Sequence, residues 1–288
     1  MDATGNNFEK VIFNNRSDLT KKVGIPSLKA ETSVNTGIGF AYHPNEKLTV
    51  SVDAYQINVK DRIVLTGSFY DDDNILGAEL KKLEVKAAQF YTNALDTKTQ
   101  GVDVVATYRT PLSIGTLSVT LAGNMNEMSL TNVKTAAGLE SKKDKYISAR
   151  ELQFILSSAP KSKGQLALTY SLDKWQMTLR NTYFSQVELI GTNGILGYND
   201  KLDDLLIKGK EAEWRAIVTD VYKARITTDL IVNYLLNKNV TLAIGGNNIF
   251  DVYPTIQNSG GTDGGTSWDG VQMGMGGAYF FARANVKF

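Results

Sequence analysis

The chain has 288 residues, with 31 Lys+Arg against 30 Asp+Glu, and its net charge of +1 excludes a basic field for nucleic acid. It has no cysteine and one histidine, His43, which excludes disulfides, thiol catalysis and cysteine-ligated metal together. No run approaches the ~18 apolar residues of a membrane-spanning helix, and the opening "MDATGNNFEK" has no apolar core of a secretion signal.

A short strand is expected near Phe8–Asn14, within an incomplete leading segment, 1–25. The regular pattern occupies 26–288. Strands are expected at 31–42 and 47–64. In the second, "SVDAYQINV" changes its apolar parity from Val52 and Ala54 to Tyr55, Ile57 and Val59, which a bulge would produce. "NILGAELKKLEVKAA" then sets Ile75, Leu76, Leu80 and Leu83 at helical spacing. Strands follow at 97–109 and 116–129, the latter alternating Leu117, Val119, Leu121 and Met125 with Ser118, Thr120, Asn124 and Asn126. The strand at 162–171 carries Leu166, Leu168 and Tyr170. The strand at 174–188 sets Trp175, Met177, Leu179 and Tyr183 against Gln176, Thr178, Arg180 and Thr182. A second helix is expected in "KLDDLLIKGKEAEW" through Leu202, Leu205 and Leu206. In the strand at 222–235, Ile226, Leu230, Val232 and Tyr234 oppose Arg225, Thr227, Asp229 and Asn233. Strand 239–250 carries Val240, Leu242, Ile244 and Phe250. Strand 277–288 ends the chain with Phe280, Ala282, Ala284, Val286 and Phe288 against Arg283, Asn285 and Lys287. Alternation at period two over such lengths specifies strands, not helices.

Connections come in two kinds. Short polar ones follow Tyr42, Tyr108, Tyr170 and Tyr234, which recur every 62–66 residues. Long ones occupy roughly 66–96, 130–161, 187–221 and 251–276. One aromatic closes each hairpin at the same depth, and Phe288 takes that place at the end of the chain.

A soluble β-sandwich also alternates. It has no reason to gather all long loops at one end or to align aromatics at one level. A membrane barrel needs both, because lipid offers the backbone no hydrogen bonds and only closed barrels or helices span it. Its strands need about 9–11 residues, its outer face is apolar and its inner face polar. Aromatic girdles mark its interfaces, with short turns on one side and long loops on the other. The expected fold is an all-β, antiparallel up-and-down transmembrane barrel in the outer membrane of a Gram-negative bacterium. Tyr42, Tyr108, Tyr170, Trp175 and Tyr234 are expected to form the periplasmic girdle, against outer-membrane lipid.

Catalytic and cofactor chemistry finds no foothold. His43 sits in a short turn with Pro44 and Asn45 and has no assignable nucleophile. The acidic runs Asp71–Asp73 and Asp200, Asp203, Asp204 lack calcium-loop spacing and read as solvated loop faces. "NSGGTDGGTSWDG" reads as an outer loop, since it does not lead from a strand into a helix. Among loop aromatics, Tyr70, Tyr91, Trp214 and Trp268 are the ligand-contact candidates. With Phe69 and Phe90, they are equally placed to pack loops together. Arg180, Arg225, Asp229 and Arg283 point to the lumen by parity and are expected to form ion pairs there.

Several segments resemble one family. "GNNIFDVYP" resembles the Gly-x-Asn-Leu/Ile-Phe-Asp segment of TonB-dependent outer-membrane receptors. "LKAETSVNTGIGFAY" is similar to that family's Leu-Lys-Pro-Glu-x-Ser strand, with Ala30 in place of Pro. "NALDTKTQGVDVVATY" resembles its Asn…Gly-x-Glu strand, with Asp103 for Glu. "APKSKGQLALTY" and the terminal "RANVKF" resemble two further strands, and "VDAYQINVKDRIVLTGSF" looks like members from Bacteroidetes. The resemblance implies a 22-stranded barrel around a plug, of which this chain would supply about 9–10 C-terminal strands without the plug. It implies energised uptake of a scarce nutrient such as an iron-siderophore, haem or oligosaccharide, no enzymatic activity, and coupling to a TonB complex through the plug. It further implies that Phe280, Ala282, Ala284, Val286 and Phe288 form the signal read by the barrel assembly machinery. The alternative is a self-contained small barrel acting as a passive pore or structural protein, with a soluble β adhesin or binding module held in reserve.

Overall fold

A computed structural model describes residues 10–22, 24–71, 76–136, 146–157, 159–192, 205, 208–257, 262 and 266–287. In chain order these form β1 (Lys10–Phe13), α1 (Asp18–Lys22), β2 (Thr32–Asn45), β3 (Leu48–Leu65), β4 (Phe69–Tyr70), α2 (Gly77–Lys82), β5 (Ala87–Pro111) and β6 (Thr116–Val133). There follow α3 (Ala149–Ser157), β7 (Ser162–Leu172), β8 (Trp175–Phe184), β9 (Val187–Ile190), α4 (Glu211–Val218), β10 (Thr219–Tyr222), β11 (Arg225–Asn237), β12 (Val240–Asn247) and β13 (Tyr279–Val286).

Nine strands form an antiparallel meander in the order β2-β3-β5-β6-β7-β8-β11-β12-β13. Its register shows how the alternation of the sequence becomes two chemically distinct faces. One row crosses eight strands as Leu48, Tyr108, Val119, Leu168, Leu179, Leu230, Gly246 and Phe280. The row beside it runs Thr49, Thr107, Thr120, Ala167, Arg180 and Asp229. A slip of one residue would exchange the faces, so the hydrophobic pattern holds the register. The first row starts at the short-turn end of β3 and finishes at the opposite end of β13. That stagger is the shear of a tilted, barrel-forming sheet.

The sheet is open. Among the described residues, β2 and β13 are its edges and do not pair with each other. They are its first and ninth members, so they run in the same direction.

The buried core lies in the long connections at one end. Ile25, Phe69, Leu76, Leu80, Phe90, Leu95 and Tyr146 are among the side chains of the largest cluster. It is fed by the upper half of β5, which continues past the sheet to pair with β1 and β4. The expected strand near Phe8–Asn14 exists over Lys10–Phe13. It pairs in parallel with Ala87–Phe90 in this cap, not in the meander. A second cap region joins β9–β10, α3 and α4 with Trp268 and Val271.

Four expectations need correction. No register shift occurs between Val50 and Val59 on either side of the strand, so the parity change in "SVDAYQINV" is not a bulge. Tyr55, Ile57 and Val59 face inward, and Tyr55 has space because its ring lies over Gly101, its cross-strand partner, where a Cβ would collide with it. The irregularity lies at Val59–Ile63, where Asp61 takes φ 57°. The segment 174–188 breaks into β8 and β9, and 222–235 into β10 and β11, because their upper pieces pair with each other in the cap. The strand of 97–109 runs on to begin at Ala87. Leu202 and Leu206 lie outside the described residues, and the described helix near them is α4.

Candidate functional site

The outward face carries a broad apolar surface. Val34, Ile38, Phe40, Leu121, Met125, Met177, Ile226, Ile244 and Phe280 are all exposed on it, with Ile38 reaching 78%. Exposed side chains on this scale, on one face of a sheet, need an apolar medium. Asn181 and Thr228 sit in the same face, and the Thr228 hydroxyl donates to Asn181 Oδ1 at 2.8 Å. That bond gives these two polar groups a partner on the neighbouring strand, as an apolar medium would require.

At the short-turn end lie Tyr42, Tyr108, Tyr170, Trp175 and Tyr234. The Trp175 and Tyr234 rings are 4.5 Å apart. Tyr170 donates to the Ile114 carbonyl at 2.8 Å and bends the β5–β6 turn toward itself; Gly115 takes φ 77° there. His43 is exposed, with Nδ1 3.0 Å from Thr49 Oγ1. Phe280, Ala282, Ala284 and Val286 share the outward face of the edge strand β13, paired to Gly246, Ile244, Leu242 and Val240. Phe288 lies outside the described residues.

The inward face is polar and organised. Asp229 accepts from Arg180 Nε at 2.8 Å and from the Asn248 N–H at 2.7 Å, and Arg180 Nη2 lies 2.6 Å from it in the ion pair. Of the four lumen charges, these two form the ion pair. Arg225 instead donates to the Tyr253 carbonyl and Thr255 Oγ1, and Arg283 lies over the Phe281 ring. Further along, Asp53 and Asp103 are cross-strand partners, and Asn124 donates to Asp103 at 2.5 Å and to the Tyr55 hydroxyl at 3.2 Å.

"GNNIFDVYP" forms the staple where the meander passes into the last long connection. Asn248 and Asp251 take φ 48° and 55°, a conformation asparagine and aspartate tolerate best. The Asn248 amide bonds both the N–H and the C=O of Val252. Asp251 accepts from the Ala278 N–H at 2.8 Å, which returns the chain to β13. The Asp251 carboxylate also holds the Tyr253 phenol above its usual pKa.

In the cap, Asp61, Asp96 and Lys134 form a polar knot with Lys29, beyond the 9–11 residues a strand needs to span. Lys134 lies 2.6 Å from Asp61 and 2.7 Å from Asp96, and Lys29 2.9 Å from Asp61. Hydrogen bonds from Lys134 and Lys29 hold Asp61 below the usual carboxylate range. In Asp96, burial raises the pKa but is outweighed by hydrogen bonds from Lys134, the Asp61 N–H and Asn132.

The ligand-contact candidates separate. Trp214 is 1% exposed and packs on Ile190 and Val218, so its ring has no free face; Phe69 and Phe90 are likewise core residues. Tyr70 is half-buried in β4. Tyr91 is exposed and lines a cleft of about 510 Å³ with Ile12, Phe13, Arg16 and Leu28. Trp268 lines another, about 650 Å³, with Arg225, Pro254 and Ile256, its ring 5.4 Å from Tyr253. Asp71 pairs with Lys86, while Asp72, Asp73, Asp200, Asp203 and Asp204 lie outside the described residues. Sequence reasoning overlooked the first cleft and α3. The helix had a signal, because Ser148 caps the Glu151 N–H in a Ser-x-x-Glu box.

A family model described as TonB dependent receptor-like, beta-barrel, matches residues 2–249. No curated protein sequence matches. Among solved structures, the FrpB iron transporter from Neisseria meningitidis (F3-3 variant) aligns with TM-score 0.56 at 16% identity, over 92% of this chain and 32% of its own. The copper transporter OprC aligns with TM-score 0.53 at 17% identity, over 91% and 32%. A mutant of the ferric enterobactin receptor from Pseudomonas aeruginosa aligns with TM-score 0.53 at 15% identity, over 91% and 32%. These likenesses are of fold, and the chain spans about a third of each.

Proposed function

Since the chain belongs to the TonB dependent receptor-like β-barrel family, we propose that it forms nine consecutive wall strands of an outer-membrane receptor for energised nutrient uptake. The family is one of receptors and transporters, not enzymes. The observation that carries the reading is the two-faced meander: apolar outward across nine strands, polar inward, with every long connection at one end.

The open edges support a larger barrel over a small closed pore. Edges that run the same way cannot close on each other in an antiparallel ladder, and two copies of a nine-stranded sheet would meet the same parallel seam. An antiparallel barrel is completed only by an odd number of further strands, which agrees with a 22-stranded whole. The inward face supports an occupant. Asp53 and Asp103 oppose each other across two strands, an arrangement that like charges disfavour. A cationic side chain from a plug domain would relieve it. The TonB complex would act through that plug. Tyr70, Tyr91 and Trp268 would meet cargo from the loops, and the outward series from Phe280 to Val286, together with Phe288, would be read by the barrel assembly machinery. The relatives named for iron, copper and ferric enterobactin favour a metal chelate as cargo, with haem and oligosaccharide as the other classes. "VDAYQINVKDRIVLTGSF" supports a Bacteroidetes-type member.

The absence of cysteine makes the topology directly testable. In the membrane-inserted full chain, cysteines at Ile38, Met125 and Ile244 should resist a water-soluble maleimide, while those at Thr178 and Asn126 should react. The reverse pattern would sink the two-faced reading. For uptake, a Gram-negative host without its own receptors should grow on ferric siderophore, haem or oligosaccharide only with its proton gradient intact. Growth that survives an uncoupler would identify a passive pore.

A further inference from the structure

The short-turn end carries a feature that a wall strand does not need. The pairing of Trp175 with Tyr234 brings the β7–β8 and β11–β12 turns side by side. Lys174 lies in the first and Lys238 in the second, both exposed. Among the described residues, neither has a carboxylate within ion-pair distance. Lys174 Nζ lies 3.5 Å from the Leu236 carbonyl, which holds its ammonium between the two turns. The Leu235 N–H in turn donates to the Lys174 carbonyl at 2.8 Å, so the turns are joined by backbone as well. Directly beside the lysines, Trp175 is 52% exposed with its ring tilted against Tyr234, and Leu236, next to last in β11, is 47% exposed at an end of the strand that water alone would favour as polar. The apolar outward surface begins immediately beyond this ring pair.

We propose that Lys174 and Lys238, with Trp175, Tyr234 and Leu236, bind the headgroup of an anionic phospholipid in the leaflet next to the short turns. Two lysine ammoniums would flank the phosphate, the amphipathic rings would sit at the level of the ester linkages, and Leu236 would reach the first methylenes. The commitment to lipid follows from continuity: the cationic pair adjoins aromatic rings and an apolar surface, whereas a free phosphate needs neither. The proposal rests on the membrane reading above.

The test uses the full chain in vesicles with brominated lipids, comparing wild type with Trp175→Phe to isolate the Trp175 signal from Trp214 and Trp268. Brominated phosphatidylglycerol should quench Trp175 on the order of tenfold more effectively than brominated phosphatidylcholine, since each lysine near an anionic surface attracts it appreciably. Lys174→Gln/Lys238→Gln should bring that ratio near one, while Lys161→Gln, paired with Glu127 at the other end, should leave it unchanged. Equal quenching of the wild type by both lipids overturns the site and leaves the membrane reading standing. No quenching by either lipid overturns the membrane reading itself. Displacement of the glycerol lipid by inorganic phosphate would overturn the commitment to lipid.

Discussion

Asp229 is the inward residue on which most depends, and removing its carboxylate tests how the staple is held. It accepts two hydrogen bonds, one from Arg180 Nε and one from the Asn248 N–H, and is in ion-pair contact with Arg180 Nη2. The Arg180 side chain is 38% exposed, so in Asp229→Ala it can turn to water. Its share then falls toward the value of a surface pair, about 0–1 kcal/mol. The Asn248 amide cannot do so, because it is buried beneath the staple, and an orphaned buried donor costs about 1–3 kcal/mol. Together the loss is about 1–4 kcal/mol. Asp229→Asn keeps an acceptor for Asn248 and should cost about half. In a cycle with Arg180→Met, the coupling should be at most about 1 kcal/mol, because most of the penalty belongs to Asn248. The assay is urea unfolding of the full chain in lipid vesicles, read by heat-modifiable gel migration, with hydrogen exchange followed at Asn248 and Val252. A loss under about 0.5 kcal/mol with unchanged exchange at Asn248 would refute the assignment.

Further outcomes follow from the same geometry. Trp214→Ala should cost about 3–5 kcal/mol and loosen only the cap, because the ring is fully buried among Ile190 and Val218; proteolysis confined to the cap would show it, and a stable cap would contradict the burial. Gly101→Val should cost about 1–3 kcal/mol by driving the Tyr55 ring off its cross-strand seat. Tyr55→Ala should rescue part of that loss, and strict additivity of the two changes would argue against the contact. The polar knot gives a pH response. Asp61 and Asp96 have folded pKa values below the ordinary 3.8, so their contribution is full above that value and drains as the pH falls through the folded values. Lys134 is held above 10.5 by the hydrogen bonds it donates to Asp61 and Asp96, so its contribution is full below 10.5 and is lost as the pH rises further. Exchange of the Asp61 and Asn93 amides should therefore be level in between and speed up at both extremes beyond its ordinary chemical pH dependence. The acid-side increase should be smaller in Lys134→Met.

The meander was legible because its signal is local. Period-two alternation from Leu117 to Met125, or from Trp175 to Tyr183, states which side chains share a face without reference to any other strand. The spacing of Tyr42, Tyr108, Tyr170 and Tyr234 likewise exposed the hairpin rhythm. Parity misled where a side chain's direction depends on a partner far away: Tyr55 looks outward by its apolarity, yet faces inward because Gly101, on the neighbouring strand, leaves room for its ring. The cap was legible least. Trp214 and Tyr91 look alike in a sequence, and only packing separates a ring sealed against Val218 from one lining a cleft.

Residue order alone therefore settled the strand class, the two faces and the end at which the long connections gather, since each follows from neighbours in the chain and the pleat of a strand. Three-dimensional packing settled the rest: the parallel docking of β1 on β5, the choice of Asp229 as partner for Arg180, and the same-direction edges that leave the sheet open. Those features join residues tens of positions apart, and their energies come from contacts that exist only once the strands have found their register.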